Sequence, residues 1–230
     1  MSQLTLVSTP IASQIPLNPL THNRLEEAWK NQAIIVCEEP KASRRRWIDW
    51  GLPREAIDDF RYYNEHNFEE SSFELLNEIQ KGKEVYLLSD CGLPAFCDPG
   101  RKLVELCHDH KLKVTATPFD NSISLALSLS GFHSQNFRFQ GFLPRNKDKR
   151  KEVIEKLFKV NETTLVMDAP YRLPKVLEEL QEFDDGKERF FLATELLKPQ
   201  EKIMRGKLKE LKKNFSEDKR EFILVVKCLN

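Results

Sequence analysis

Apolar runs of strand type recur through the first half of the chain, at residues 4–8, 33–37, 60–63, 85–89 and 112–117. Between them lie stretches with helical spacing, at 20–30, 41–50, 71–81 and 101–110. Val85, Tyr86, Leu87 and Leu88 are apolar without interruption. A strand with one wet face alternates, whereas a strand covered on both faces does not, so this run reads as a buried parallel strand. The β–α alternation as a whole predicts a parallel sheet with helices on its faces. In the second half, Asn121 or Ser122 stands where it can cap a helix that Gly131 ends. Further strand-like runs follow at 137–140, 163–168, 189–194, 203–207 and 221–227. The last three are separated by too little sequence for a helical crossover at each step, which predicts an antiparallel or mixed sheet there. The expected fold is therefore α/β in two domains of similar size, a parallel-sheet domain over 1–116 and a mixed-sheet domain over 117–230, with a cleft between them.

Composition removes several function classes. Thirty-six basic and 36 acidic residues cancel, so no global field announces a nucleic-acid partner, and any such partner must be met by local clusters. No run of eighteen apolar residues occurs and no basic-then-apolar leader follows Met1, which predicts a cytoplasmic protein with no membrane partner. Five cysteines, Cys37, Cys91, Cys97, Cys107 and Cys228, are odd in number and lack CxxC spacing. They read as reduced thiols, and no metal site is expected.

The most informative stretch is EVYLLSDCGLPAFCDPG, from Glu84 to Gly100, in which the buried strand breaks into a loop with two glycines and two prolines. In an open parallel sheet, ligands sit outside the carboxyl ends of the strands, so the loop falls where binding happens. A plain turn leading into the next helix would have the same composition.

Several short segments, taken together and in order, resemble the tetrapyrrole methylase superfamily in its ribosomal RNA small subunit methyltransferase I branch. SDCGLPAFCDPG at 89–100 is similar to the S-D-A-G-x-P-x-x-x-D-P-G loop of that branch. VSTPI at 7–11 resembles V-x-T-P-I, and YNEHN at 63–67 resembles Y-x-E-H-N. ALSLSGF at 126–132 and GFLPR at 141–145 resemble A-L-x-x-S-G and G-F-L-P-R, while DAPYR at 168–172 and ATELLK at 193–198 stand where the branch has E-S-P-H-R and A-R-E-L-T-K. The resemblance implies a two-domain tetrapyrrole methylase-like fold, S-adenosylmethionine bound in the cleft, a homodimer, and methyl transfer to a ribose 2′-hydroxyl of 16S ribosomal RNA. No GxGxxG follows the first strand, consistent with a fold other than the common nucleotide-binding one. The chain departs from the branch in two turns. Ala12, Ser13 and Gln14 replace G-N-L after Ile11, and PFDNS at 118–122 replaces P-G-P-S-A, so Phe119 and Asp120 require a rebuilt turn.

Carried over residue by residue, the resemblance assigns the cofactor to Gly92, Leu93, Pro94 and Cys97 of the glycine loop, to Asn121 and Ser122, and to Met167, Ala193 and Thr194 further on. Backbone amides, small side chains and an apolar wall suffice to recognise adenine, ribose and methionine ends. A ribose hydroxyl is a weak nucleophile, so a nearby base assists; Glu38, Glu65, His66 and Asp90, at or just past strand ends, are the candidates, Asp90 also as a shaper of the loop. RNA would need cations. Arg44, Arg45 and Arg46 lie beside Trp47 and Trp50, and Arg145, Lys147, Lys149 and Arg150 follow GFLP, whereas the lysine-rich tail from Lys198 reads as solvated surface. Two other readings stay open at this point. The same fold and cofactor could serve a tetrapyrrole or other small molecule, or the chain could bind RNA and cofactor without turnover.

Overall fold

The protein, described here by a computed structural model over residues 2–119, 121–215 and 219–227, divides into two compact units, Met1–Asn121 and Ser122–Asn230. Asp120 and Cys228 lie outside the described residues. The first unit runs β1 (Gln3–Val7), α1 (Pro19–Lys30), β2 (Ile34–Cys37), α2 (Pro40–Asp49), β3 (Arg61–Tyr62), α3 (Phe68–Gln80), β4 (Glu84–Leu88), α4 (Arg101–Asp109) and β5 (Lys113–Ala116). Its sheet has the order β3-β2-β4-β1-β5, and every pairing is parallel, as the unbroken apolar runs predict.

Both faces of this sheet are covered. Val7, Ile35, Cys37, Tyr86 and Leu88 face one layer, built by Leu25 and Ala28 of α1 and Trp47 of α2. Leu4, Val36, Val85 and Leu87 point the other way, onto Leu75, Leu76 and Ile79 of α3 and Leu103, Leu106 and Cys107 of α4. The helix starts are written locally. Asn18 Oδ1 accepts the Leu20 N–H at 2.9 Å and Glu39 Oε2 the Ala42 N–H at 2.6 Å, each followed by a proline at the first helical position.

The tryptophans beside Arg44, Arg45 and Arg46 belong to this layer. Trp47 is 1 % exposed, donates Nε1–H to the Pro53 carbonyl at 2.8 Å and meets Phe60 edge-on at 5.0 Å, so it is core and not a stacking platform for a base. Trp50 is partly buried against the same layer. A large aromatic at helical spacing from other apolar residues is drawn inward whatever charges flank it.

The second unit runs α5 (Ser122–Ser130), β6 (Phe137–Phe142), α6 (Lys147–Lys159), β7 (Thr163–Asp168), α7 (Leu173–Gln181), β8 (Arg189–Thr194), β9 (Lys202–Gly206), α8 (Leu208–Phe215) and β10 (Phe222–Lys227). Gly131 follows α5 at φ +61°, a left-handed stop of the kind expected. The sheet order is β6-β7-β10-β8-β9; β6 and β7 are parallel and the other three pairings antiparallel, the mixed sheet predicted. Alternate residues of β10 separate cleanly: Phe222, Leu224 and Val226 lie under α6, α7 and α8, while Ile223 and Val225 face Ile123, Ala126 and Leu127 of α5. No helix of the described residues is long and apolar enough to cross a membrane.

Candidate active site

Because the first sheet is wholly parallel, the carboxyl ends of its strands share one edge, and the loops leaving that edge are knitted together. Thr9, just past β1, exchanges both main-chain hydrogen bonds with Gly92 in the loop after β4, at 2.9 and 3.1 Å. Thr9 Oγ1 donates to the Ser89 carbonyl at 3.2 Å, and Ser89 Oγ donates to the Gly92 carbonyl at 3.1 Å. Past β5, Thr117 Oγ1 accepts the Ser8 N–H at 3.1 Å and the Thr117 N–H reaches the Leu6 carbonyl at 2.9 Å. The glycine loop is thus a braced platform. Within it Gly92 takes φ +81° and Ala95 φ +65°, and the Ala95 N–H closes the loop on the Pro99 carbonyl at 3.2 Å.

The expected candidate bases gather at this edge with different exposures. Glu38 follows β2, is half-buried, and accepts the Asp90 N–H through Oε2 at 3.2 Å. Burial pushes its carboxyl above the ordinary range, and the negative charges of Asp98, Asp90 and Glu65 push the same way against that hydrogen bond. Asp90 is raised by burial too, despite the Glu39 N–H, the Ser43 hydroxyl (Oγ to Oδ1 3.3 Å) and the positive charge of Arg46. Its main chain and side chain tie the loops after β2 and β4 to each other. Glu65 and His66 are exposed on a turn held by its own asparagines. Asn67 Nδ2 donates to the Tyr62 carbonyl at 2.9 Å, Asn67 Oδ1 accepts the Asn64 N–H at 2.8 Å, and Asn64 Oδ1 accepts the His66 N–H at 3.0 Å.

Asp98 is the residue that sequence reasoning leaves out. It is half-buried, and burial raises its carboxyl first, against a hydrogen bond from Ser89 and with help from the charge of Asp90. The signal lies in the D-P-G at the loop's end, where an acid precedes the helix α4 whose first position follows Gly100. Three carboxyls of raised pKa therefore stand close enough to repel one another at the ends of two neighbouring strands.

Of the expected cofactor residues, Leu93 is half-buried, Pro94 is buried and Cys97 is exposed in the platform. Asn121 closes the first unit and Ser122 opens α5 of the second, both half-buried; Phe119 of the altered turn is 49 % exposed. In the second unit Met167 is partly buried on β7. Ala193 and Thr194 on β8 correct the expectation: both are fully enclosed, Ala193 in the layer under α5, so neither presents surface to a ligand. Buried Cys37 and Cys107 have thiols pushed up to about 12 and about 11 by desolvation, which removes them as nucleophiles near neutrality.

The expected RNA-facing cations divide. Arg44 and Arg45 are exposed on α2, Arg45 with Asp49 at 3.7 Å, and Arg46 is half-buried toward Asp90. Arg145, Lys147 and Lys149 are exposed. Arg150 is not: it is 8 % exposed, forms a two-point pair with Glu179 of α7 at 2.7 and 2.7 Å, and donates Nη1–H to the carbonyls of Pro144 and Arg145 at 3.1 and 2.9 Å. Buried, with four of its N–H donors used inside the fold, it leaves the expected RNA face.

Comparison with known proteins agrees with this architecture. A ribosomal RNA small subunit methyltransferase I from Thermotoga maritima is 29% identical over 219 residues, 95% of this chain and 94% of that one. The protein of the same name from Bacillus subtilis is 32% identical over 232 residues, 100% of this chain and 76% of that one. Among solved structures, uroporphyrin-III C-methyl transferase from Thermus thermophilus complexed with S-adenyl homocysteine superposes with a TM-score of 0.58 at 16% identity, covering 99% and 97% of the two chains, a likeness of fold. The description Tetrapyrrole (Corrin/Porphyrin) Methylases matches residues 17–212, and with the parallel sheet, the braced glycine loop and these relatives in view, the chain belongs to the tetrapyrrole methylase family.

Proposed function

We propose that this protein is an S-adenosylmethionine-dependent methyltransferase that acts on the RNA of the small ribosomal subunit, at a ribose 2′-hydroxyl. The observation that carries the reading is similarity of about 30% over nearly the whole chain to proteins named Ribosomal RNA small subunit methyltransferase I. The proposed setting is the cytoplasm, and the proposed assembly a homodimer.

The residues present fit the cofactor. At Gly92 an added Cβ would find only Ile11 Cγ2, at 3.9 Å, so bare backbone is approachable there. No lysine or arginine lies in residues 89–100, while Asp90 and Asp98 offer negative charge to a sulfonium and acceptors to ribose hydroxyls. Leu93, Pro94 and Cys97 would complete the cofactor contacts within the first unit. When bound, S-adenosylmethionine supplies the methyl group. The chain's own part is to align the acceptor, exclude water and take the acceptor's proton.

Glu38 is the proposed base. Its raised pKa brings its proton affinity nearer neutrality, which makes a carboxylate a better proton acceptor, and its link to the Asp90 N–H holds it in place. The exposed cations Arg44, Arg45, Arg145, Lys147 and Lys149, with Arg46, would meet phosphate. The test is transfer of labelled methyl from S-adenosylmethionine to isolated, unmethylated small subunits. The expected product is RNA whose label survives alkali as a 2′-O-methyl dinucleotide. Cofactor binding with no label in RNA would overturn the acceptor, and label in a tetrapyrrole instead would move the chain to the small-molecule side of its family. Glu38→Gln should lower the transfer rate about 10²- to 10⁴-fold, as loss of a general base does, with cofactor affinity retained.

A further inference from the structure

We propose that Arg150 and Arg172 are positioning residues for the segment that carries Arg145, Lys147 and Lys149, each gripping its main chain from below. The inference rests on the RNA reading of those three cations.

The segment leaves β6 through Leu143, buried at 3 % exposure, and reaches α6 through Asn146, whose Oδ1 caps the Lys149 N–H at 3.0 Å. Carbonyls in such a connection ordinarily turn to water. Here three in succession are taken by two guanidiniums. Arg172, in the single turn Pro170–Arg172 after β7, donates to the Leu143 carbonyl at 3.3 Å and the Pro144 carbonyl at 3.0 Å. Arg150, in the first turns of α6, donates to the Pro144 and Arg145 carbonyls, so Pro144 is held by both.

Each guanidinium is fixed in turn by a carboxylate. Glu179 binds Arg150 through both oxygens, and Asp168 Oδ1 lies 3.0 Å from Arg172 Nη1. The four side chains are almost wholly enclosed, at 10, 9, 13 and 1 % exposure for Arg150, Glu179, Arg172 and Asp168. The fork geometry matters, because a lysine could supply the charge but not two parallel donors in a fixed plane.

Stability alone is a poor account of this arrangement. Apolar side chains of similar volume fill such a space at least as well as buried ion pairs do. The fold also tolerates a cost here: Asp168 Oδ2 is buried with no hydrogen-bond partner, and burial raises the Asp168 carboxyl even beside Arg172 and Arg150. What the network uniquely provides is a defined path for residues 143–146. The exposed cations then project from a backbone with little freedom, and less order has to be imposed when a polyanion binds.

The experiment uses the full chain with Arg172→Lys, and separately with Arg145→Ala and Lys149→Ala together. Three readouts are taken: affinity for isolated small subunits, affinity for S-adenosylmethionine, and amide hydrogen exchange over 143–149. Arg172→Lys should speed exchange in that segment, weaken RNA binding about tenfold (about 1.4 kcal/mol) and leave cofactor affinity unchanged. In that background, removal of Arg145 and Lys149 should cost much less than it does alone, because badly placed cations contribute little. Faster exchange with unchanged RNA affinity, while the Arg145 and Lys149 variant binds weakly, would overturn the positioning role and leave the RNA face standing. Unchanged RNA affinity in the Arg145 and Lys149 variant would overturn the RNA face and the inference with it. Should Arg172→Lys lose cofactor binding as well, Asp168→Asn is read in its place. It keeps the side chain's shape and loosens only the charge behind Arg172, and the same two outcomes decide.

Discussion

Two glycines of the same loop are held for different reasons. At Gly100 the backbone stands at φ +137°, and a Cβ would come within 3.0 Å of Ala95 Cβ and of Leu87 Cδ2. At Gly92 the left-handed backbone is the only obstacle, since the space around a Cβ is open. Gly92→Ala should therefore lower stability by about 1 kcal/mol, and Gly100→Ala by about 2–4 kcal/mol, where strain and overpacking add. Denaturant midpoints of the two variants check the order; an equal loss would mean that the clash at Gly100 relaxes. The glycines were legible in the sequence because an S-D-x-G-x-P pattern announces special backbone. Arg150 was not. It sits in a run of lysines and arginines that reads as an exposed, RNA-facing cluster, and the partner that draws it inward, Glu179, is 29 residues away. Asp98 escaped for a related reason, since its raised pKa comes first from burial in the folded loop, with the charge of Asp90 adding to it, and neither shows in the local pattern of residues.

At the level of elements, strands were easier to read than helices. The five strands of the first unit and the five of the second follow from apolar runs, and their parallel or mixed pairing from the length of the connections. The helices α6, α7 and α8 are not anticipated by the pattern. In α6 the buried Ile154 and Leu157, with Val153 and Phe158, form a genuine stripe, but the lysines and glutamates between them hide it. The strand ends carry a consequence for pH. Glu38, Asp90 and Asp98 have folded-state pKa values raised above their ordinary 4.5, 3.8 and 3.8. The folded chain then binds protons more tightly than the unfolded one. Their favourable contribution is complete below those ordinary values and is lost as pH rises through the raised ones. Asp98→Asn should accordingly stabilise the protein relative to the native chain at about pH 7.5, and do so less at about pH 4, near the carboxyl's ordinary 3.8, so that the decline between the two is flatter. Chemical denaturation at the two pH values measures both, and a steeper decline in the variant would contradict the assignment.

For the molecule as a whole, the balance of 36 basic and 36 acidic residues means that association with RNA has no long-range pull to draw on. In the proposed reading, affinity must come from two local clusters, Arg44, Arg45 and Arg46 in the first unit and Arg145, Lys147 and Lys149 in the second. If all six meet phosphates of single-stranded RNA, log K should fall with log salt at a slope of about −4, and losing either group of three should reduce it by about 2. Filter binding across a salt series reads this directly, and a slope near zero would remove the face.

The strand orders bear on how the chain is assembled. β1 lies between β4 and β5, so the earliest strand of the first sheet cannot be paired until the last two of that sheet exist. β10 lies between β7 and β8, so the second sheet stays in two pieces until its final strand arrives. During synthesis the first unit can close as soon as β5 is free, well before the second is complete, whereas β7 and β8 must wait with open edges. The interval before β10 joins them is the one in which this chain is most exposed to aggregation.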